Sequence, residues 1–249
     1  LAFLALPVLA LVLRVSPTTV LARLGDREVL DALRVSLITS LAATAIVAVL
    51  GTPLAWLLAT DRLPGGRVLE WCTRLPMVLP PTVAGLALLL AFGRMGLLGG
   101  ALAACGVTLP FTLLAVVLAQ VFMAAPFFLA TARAGFAAVP REVREAAAML
   151  RADDWTTFTR VVLPLARRAW LAGLVLCWAR ALGEFGASIL FAGNLAGVTR
   201  TLPMAVYLAF ASDLDAAIAL ALILLLAAFV VLFASRWAPM GAVAGDRDA

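Results

Sequence analysis

The sequence predicts an all-α integral membrane protein with about six transmembrane helices, and three observations carry that expectation. Of 249 residues, 65% are hydrophobic and 13% charged, with a mean hydropathy of +1.10. Six apolar stretches approach the roughly 20 residues that cross a bilayer. The arginines are concentrated in alternate connections, the bias that orients membrane proteins.

The first expected span covers about 1–15. A signal-peptide core would have a similar length, but no basic segment precedes it and no small-residue cleavage site follows Arg14, so a transmembrane helix that begins upstream of Leu1 is favoured. Ser16-Pro17 opens a new helix, with Ser as N-cap and Pro in the first turn. Val29, Leu30, Leu33 and Leu37 share one face while Arg27, Glu28, Asp31 and Arg34 do not, which suits a segment lying on the membrane surface. The second span is expected at 35–59, bent near Gly51 and Pro53. The third, at 77–92, begins with Leu79-Pro80-Pro81, so its first turn is not an uninterrupted helix. A glycine-rich connection then leads to the fourth span at 111–132. The fifth is expected at 169–190 and the sixth at 216–235, all within one transmembrane domain over 1–249.

Six spans place the connections alternately on two sides. One side carries Arg62, Arg67, Arg74, Arg133, Arg141, Arg144, Arg151, Arg160, Arg167, Arg168, Arg236 and Arg247; the other has Arg23, Arg27, Arg34, Arg94 and Arg200. The excess makes the first side cytoplasmic and the chain a multi-pass protein of the cell membrane, with lipid around it.

The long connection on that side, 133–168, is polar and arginine-rich. Val139, Val143, Ala147 and Leu150 recur at helical spacing, and so do Trp155, Phe158, Val162 and Leu165 after Asp153 or Asp154 as N-cap. Pro164 is expected to break the second pattern. From periodicity alone, a solvated loop and a docking site stand equally.

The fifth stretch carries Arg180 and Glu184 one helical turn apart, about 11 residues in and so near mid-membrane. Each charge at that depth costs about 2.5–3.5 kcal/mol, so the two should pair or face a wet cavity. A structural ion pair and a residue lining or gating an anion path both satisfy that requirement. Ala179, Gly183 and Ala187 repeat every fourth residue, a small-residue stripe that admits a neighbouring helix.

Composition excludes much chemistry. The 19 basic residues are all arginine, and there is no histidine. Without Lys there is no Walker A phosphate loop, and without His no Ser-His or Cys-His nucleophile. No metal site is expected. Cys72, Cys105 and Cys177 are widely spaced with no CxxC motif, which suits buried packing residues. The spread of arginine over short loops argues against nucleic acid. An ion-coupled secondary transporter is a rival from another class, but Glu184 is its sole intramembrane acid. A membrane enzyme fares worse, lacking paired intramembrane carboxylates.

Two motifs carry a family resemblance. Glu145-Ala146-Ala147, Leu150, Ala152, Trp155, Phe158 and Val161 to Pro164 resemble the EAA loop of ABC-importer membrane subunits. Arg151 stands where that family usually has Gly. Ala179 to Ala187, Asn194, Gly197, Thr199-Arg200-Thr201-Leu202-Pro203 and Tyr207, with Val78-Leu79-Pro80-Pro81, resemble molybdate permeases, a branch that includes tungstate carriers; sulfate permeases are similar over part of this set. The resemblance implies a type I importer fold and a permease subunit that is not itself an enzyme. It implies that Glu145, Ala146, Ala147, Leu150, Arg151 and Ala152 contact an ATPase. It also implies a homodimer, two cytoplasmic ATP-binding subunits that carry ATP and Mg, and an external oxyanion-binding protein, with no cofactor on this chain.

Overall fold

The computed structural model describes residues 2–60 and 64–237, and the regular elements among them are helical. Arg62 and Arg247, counted above for orientation, lie outside these residues. In chain order the helices are α1 (Ala2–Arg14), α2 (Pro17–Leu24), α3 (Arg27–Ala59), α4 (Gly66–Val78), α5 (Pro81–Phe92), α6 (Gly99–Ala104), α7 (Leu113–Ala137), α8 (Arg141–Met149) and α9 (Asp154–Thr157). A π-helical turn, Phe158–Val162, then leads into α10 (Leu163–Leu182), followed by α11 (Gly186–Ala192), α12 (Leu202–Phe210) and α13 (Leu214–Trp237).

Among the described residues, three continuous helices are long and apolar enough to cross a membrane: Arg27–Ala59, Leu113–Ala137 and Asp154–Leu182. Two bent pairs meet the same test jointly, α1 with α2 at 77° and α4 with α5 at 118°. The Leu79-Pro80 break between α4 and α5 has the expected cause, because Pro81 has no N–H to continue the ladder and Leu79 is held extended before Pro80. Ser16 caps α2 as its spacing predicts, accepting the Thr19 N–H at 3.2 Å.

The central helix is α7, packed along α3 on one side and α10 on the other. Its fully buried Phe128 ring lies 3.0 Å from the point where a Cβ on Gly51 would stand, so the missing side chain is what seats α3 against α7. Gly135 plays the same part toward Ala169 of α10. A second core joins α5 and α11 to the N-terminal half of α7 through Ala84, Leu88, Val116, Ala119, Ala187 and Phe191.

Several expectations are corrected. The segment 27–34 is not a separate surface helix; it is the first two turns of α3, with Val29 and Ala32 buried against Leu202, Leu220 and Ile223. Pro164 does not end its helix. The π turn just before it widens the ladder, so the carbonyl that a proline would orphan is absorbed and the helix runs from Asp154 to Leu182. The fifth stretch, by contrast, is broken: α10 ends at Leu182 and α11 starts at Gly186. Of the cysteines only Cys177 is buried, while Cys72 on α4 and Cys105 after α6 are exposed.

Candidate functional site

The loop 133–168 is fastened to the spans by an aromatic cluster. Phe158 lies 5.5 Å from Trp56 of α3 and 5.6 Å from Phe136 of α7, ring centre to ring centre, and Trp56 and Phe136 meet edge-on at 6.2 Å. All three are buried, so this end of three helices is packed together through its rings. The same end is held by Arg133, whose guanidinium reaches Glu70 of α4 at 2.5 Å and the Leu58 carbonyl at 3.4 Å.

From that anchor the loop turns outward. Helix α8 ends in a Schellman motif, with the Ala152 N–H donating to the Ala147 carbonyl at 3.1 Å and the Arg151 N–H to Ala148 at 2.9 Å. This geometry needs a left-handed residue, and Arg151 supplies it at φ 59°. Arg151→Gly should therefore stabilise the chain by about 1 kcal/mol. A denaturation curve of the purified protein checks this, and an unchanged midpoint would show that the arginine side chain offsets its own backbone strain.

The left-handed turn also explains why the predicted stripe is split. Val139 and Ala147 are buried, but Leu150 is 84% exposed, as is Met149 beside it. Trp155 is 71% exposed while Phe158 and Val162 are buried, and Leu165 is outward again because the π turn shifts the helical phase. Of the predicted coupling residues, Ala146, Leu150 and Arg151 face out. Ala147 faces into the chain and Ala152 is half-buried, so neither presents a free docking face. Glu145 is exposed and accepts from Arg141 Nε at 2.7 Å. Asp153 caps α9 by accepting the Thr156 N–H at 2.9 Å, and hydrogen bonding from Thr156 lowers its pKa. The cap is thus intact above the ordinary aspartate range and lost as pH falls through the lowered value.

The predicted intramembrane pair is present. Arg180 Nη1 lies 2.5 Å from Glu184 Oε2, with the glutamate 1% and the arginine 25% exposed. The setting differs from the expected mid-helix one. Arg180 occupies the last turn of α10, about 18 Å beyond Arg168, and Glu184 lies in the break between α10 and α11. Its second oxygen, Oε1, accepts the Ala187 N–H at 2.9 Å, so one carboxylate holds both the end of α10 and the start of α11.

The small-residue stripe is not a single face. Gly183 and Ala179 are exposed, on an apolar groove of about 630 Å³ shared with Phe185, Tyr207 and Phe210. Ala187 is buried against Gly85 of α5, where a Cβ would stand 2.6 Å from the Ala187 carbonyl oxygen. Gly186 is likewise pressed on Pro81. Gly85 had no flag in the sequence, because the glycine pattern of one helix says nothing of the partner it meets.

Beyond α11 the motif residues shape the connection to α12. Asn194 Oδ1 accepts from Arg200 Nε at 3.0 Å, Thr199 Oγ1 accepts the Leu195 N–H at 3.0 Å, and Ser36 of α3 accepts the Leu202 N–H at 2.6 Å. Arg200 also faces Glu28 at 3.7 Å on the wall of an ionic cleft of about 600 Å³ that Arg23, Asp26 and Asp213 share.

Residues 51–238 match the family model described as "Binding-protein-dependent transport system inner membrane component". The chain belongs to this family. Members of the family are transport subunits rather than enzymes, which sets aside the ion-coupled transporter and the membrane enzyme. Among curated relatives, the molybdenum transport system permease protein ModB of Mycobacterium tuberculosis is 42% identical over 240 residues, 96% of this chain and 91% of its own. The sulfate transport system permease protein CysT of Escherichia coli is 35% identical over 83% of this chain and 75% of its own. Among solved structures, a bacterial ABC transporter involved in the import of the acidic polysaccharide alginate superposes with a TM-score of 0.71 at 15% identity, covering 94% of this chain and 88% of that one, a likeness of fold alone. The chain is therefore an ABC-importer permease of the inner membrane, a subunit that works with an ATPase and a binding protein.

Proposed function

We propose that this permease forms half of an inward pathway for a tetrahedral oxyanion, molybdate first, and that partner ATPases drive it through the loop 133–168. Sulfate or tungstate is the alternative cargo. The observation that carries the coupling reading is the exposure of Met149, Leu150 and Trp155 on an otherwise polar loop whose base is locked to α3 and α7 by buried rings. Apolar side chains held out from a rigid base are what a groove on a partner protein would take up. Ala146 and Arg151 border this patch, with Glu145 at its edge. The identity to ModB supports molybdate over sulfate.

Two copies complete the pathway in this reading, because Arg180 retains 25% exposure beside a groove that one chain leaves open. The arginine asymmetry supports a cytoplasmic loop. Two ATPase subunits carry ATP and Mg there, and an oxyanion-binding protein docks on the opposite face.

The test is the reconstituted complex with binding protein loaded in turn with molybdate, tungstate and sulfate. Molybdate should stimulate ATP hydrolysis most; greater stimulation by sulfate overturns the cargo assignment. Ala146→Glu with Leu150→Asp should cut that stimulation at least tenfold with the chain's own denaturation midpoint unchanged. Full stimulation in that variant would return the loop to a solvated connection. Cysteines at Arg144 and Val198, in a background without Cys72 and Cys105, should label from opposite sides; labelling of both from outside removes the orientation.

A further inference from the structure

Helix α4 is built inside out. Its inward face is the polar one: Glu70, Thr73 and Gly66 are partly covered and Pro76 is buried, with Glu70 shared between Arg74 and Arg133, 2.5 Å from each. Its outward face is apolar. Val68, Trp71, Leu75 and Val78 recur at helical spacing, each more than half exposed, with Cys72 exposed among them. Such a face in water would be a liability, and among the described residues it stays exposed.

Charge indicates what does. Arg67 and Arg74 lie side by side along one flank of the apolar face, about 60–80° from its centre by the helical repeat of about 100° per residue. Glu70 is the only acid on α4, and it answers two guanidiniums at once, Arg74 and Arg133. Arg67 has no acidic partner among the described residues. The flank therefore keeps a positive excess beside a tryptophan, the pairing that seats a helix at the boundary between acyl chains and headgroups. Beyond the 118° bend at Leu79-Pro80, Val83, Leu86 and Leu90 of α5 are exposed as well, so the helix that follows α4 also presents apolar side chains outward.

We propose that α4 is a docking surface for anionic phospholipid in the leaflet on the side of the 133–168 loop, with Val68, Trp71, Leu75 and Val78 among the acyl chains and Arg67 and Arg74 on headgroup phosphates. A second copy of the chain or a soluble partner would cover the apolar face as well; lipid is assigned because Arg67, without an acidic partner among the described residues, lies beside the exposed Trp71. The assignment needs neither the ATPase nor the cargo, so its failure is separate from that of the transport reading.

The test uses the full chain in phosphatidylcholine nanodiscs with and without phosphatidylglycerol. A nitroxide on Cys72 in a Cys105→Ser background, where Cys177 is buried and stays unlabelled, should collide severalfold more with oxygen than with a water-soluble nickel chelate. Arg67→Gln and Arg74→Gln should each weaken phosphatidylglycerol binding about fivefold, as loss of about 1 kcal/mol per arginine requires. Arg94→Gln, in the connection after α5, should leave it unchanged. Greater access to the nickel chelate would place α4 in water, and access to neither reagent would place it under protein; either result overturns the proposal. So does phosphatidylglycerol binding that is insensitive to both arginine substitutions.

Discussion

Arg180→Ala and Glu184→Ala are each expected to lower the stability of the purified permease by roughly 3–5 kcal/mol, and the double variant by clearly less than the sum. Removing one partner leaves the other charge in a low-dielectric site, whereas removing both removes that penalty. The two single variants should not be equal. Arg180 is a quarter exposed, so its loss strands the nearly inaccessible Glu184 carboxylate, while the loss of Glu184 strands the less buried of the two charges. Glu184→Ala, however, also deprives the Ala187 N–H of its acceptor. Glu184→Gln separates the two roles, since the amide oxygen can still receive that N–H. Denaturation midpoints of the four variants decide the matter: small, additive losses would mean that the pair is an incidental contact. Oxyanion uptake by the double variant at matched expression then divides the remaining possibilities. Lost uptake assigns the pair to the pathway, and full uptake leaves it a structural clasp.

Gly85→Ala should damage the α5–α11 contact. The added Cβ would stand 2.6 Å from the Ala187 carbonyl oxygen and 2.8 Å from its Cα. Both are backbone atoms, so a side-chain rotation cannot relieve the clash and α5 must separate from α11 as a body. Overpacking of this kind costs roughly 1–3 kcal/mol, and Gly85→Val should cost more. Gly100→Ala in α6 is the control, because nothing lies within 4 Å of its added Cβ. Equal denaturation midpoints for Gly85→Ala and Gly100→Ala would show that the α5–α11 contact is not close in the folded protein.

Hydropathy and proline position were sufficient to locate α3, α7 and the broken entrance to α5, because both act through the local backbone. The Ser16 and Asp153 caps and the Arg180–Glu184 pairing were readable for the same reason, each joining groups three or four residues apart. What escaped was non-local or depended on helical phase. The break at Gly183 disrupts a stripe that looks continuous on paper, since Glu184 finds its second partner across the gap at Ala187. The π turn at 158–162 rotates Leu165 off the face that Phe158 and Val162 share. Ala147 is buried as its place on the apolar stripe predicts, but Leu150 of the same stripe turns outward with Met149 at the left-handed end of α8, a turn that the apolar spacing does not encode. Glu70 and Arg133 are 63 positions apart, and nothing along the chain links them.

The proline that fails to interrupt its helix has a mechanical consequence. Because the ladder is continuous from Asp154 to Leu182, the exposed end beside Trp155 and the end bearing Arg180 belong to one stiff rod of 29 residues. At 1.5 Å per residue its length is about 43 Å, so a tilt of about 5° around one end displaces the other by about 4 Å. That displacement exceeds the width of a hydrogen bond. The rod's far end is where the Glu184 carboxylate bridges two helices, so a tilt of that size relative to α11 would be large enough to break the bridge.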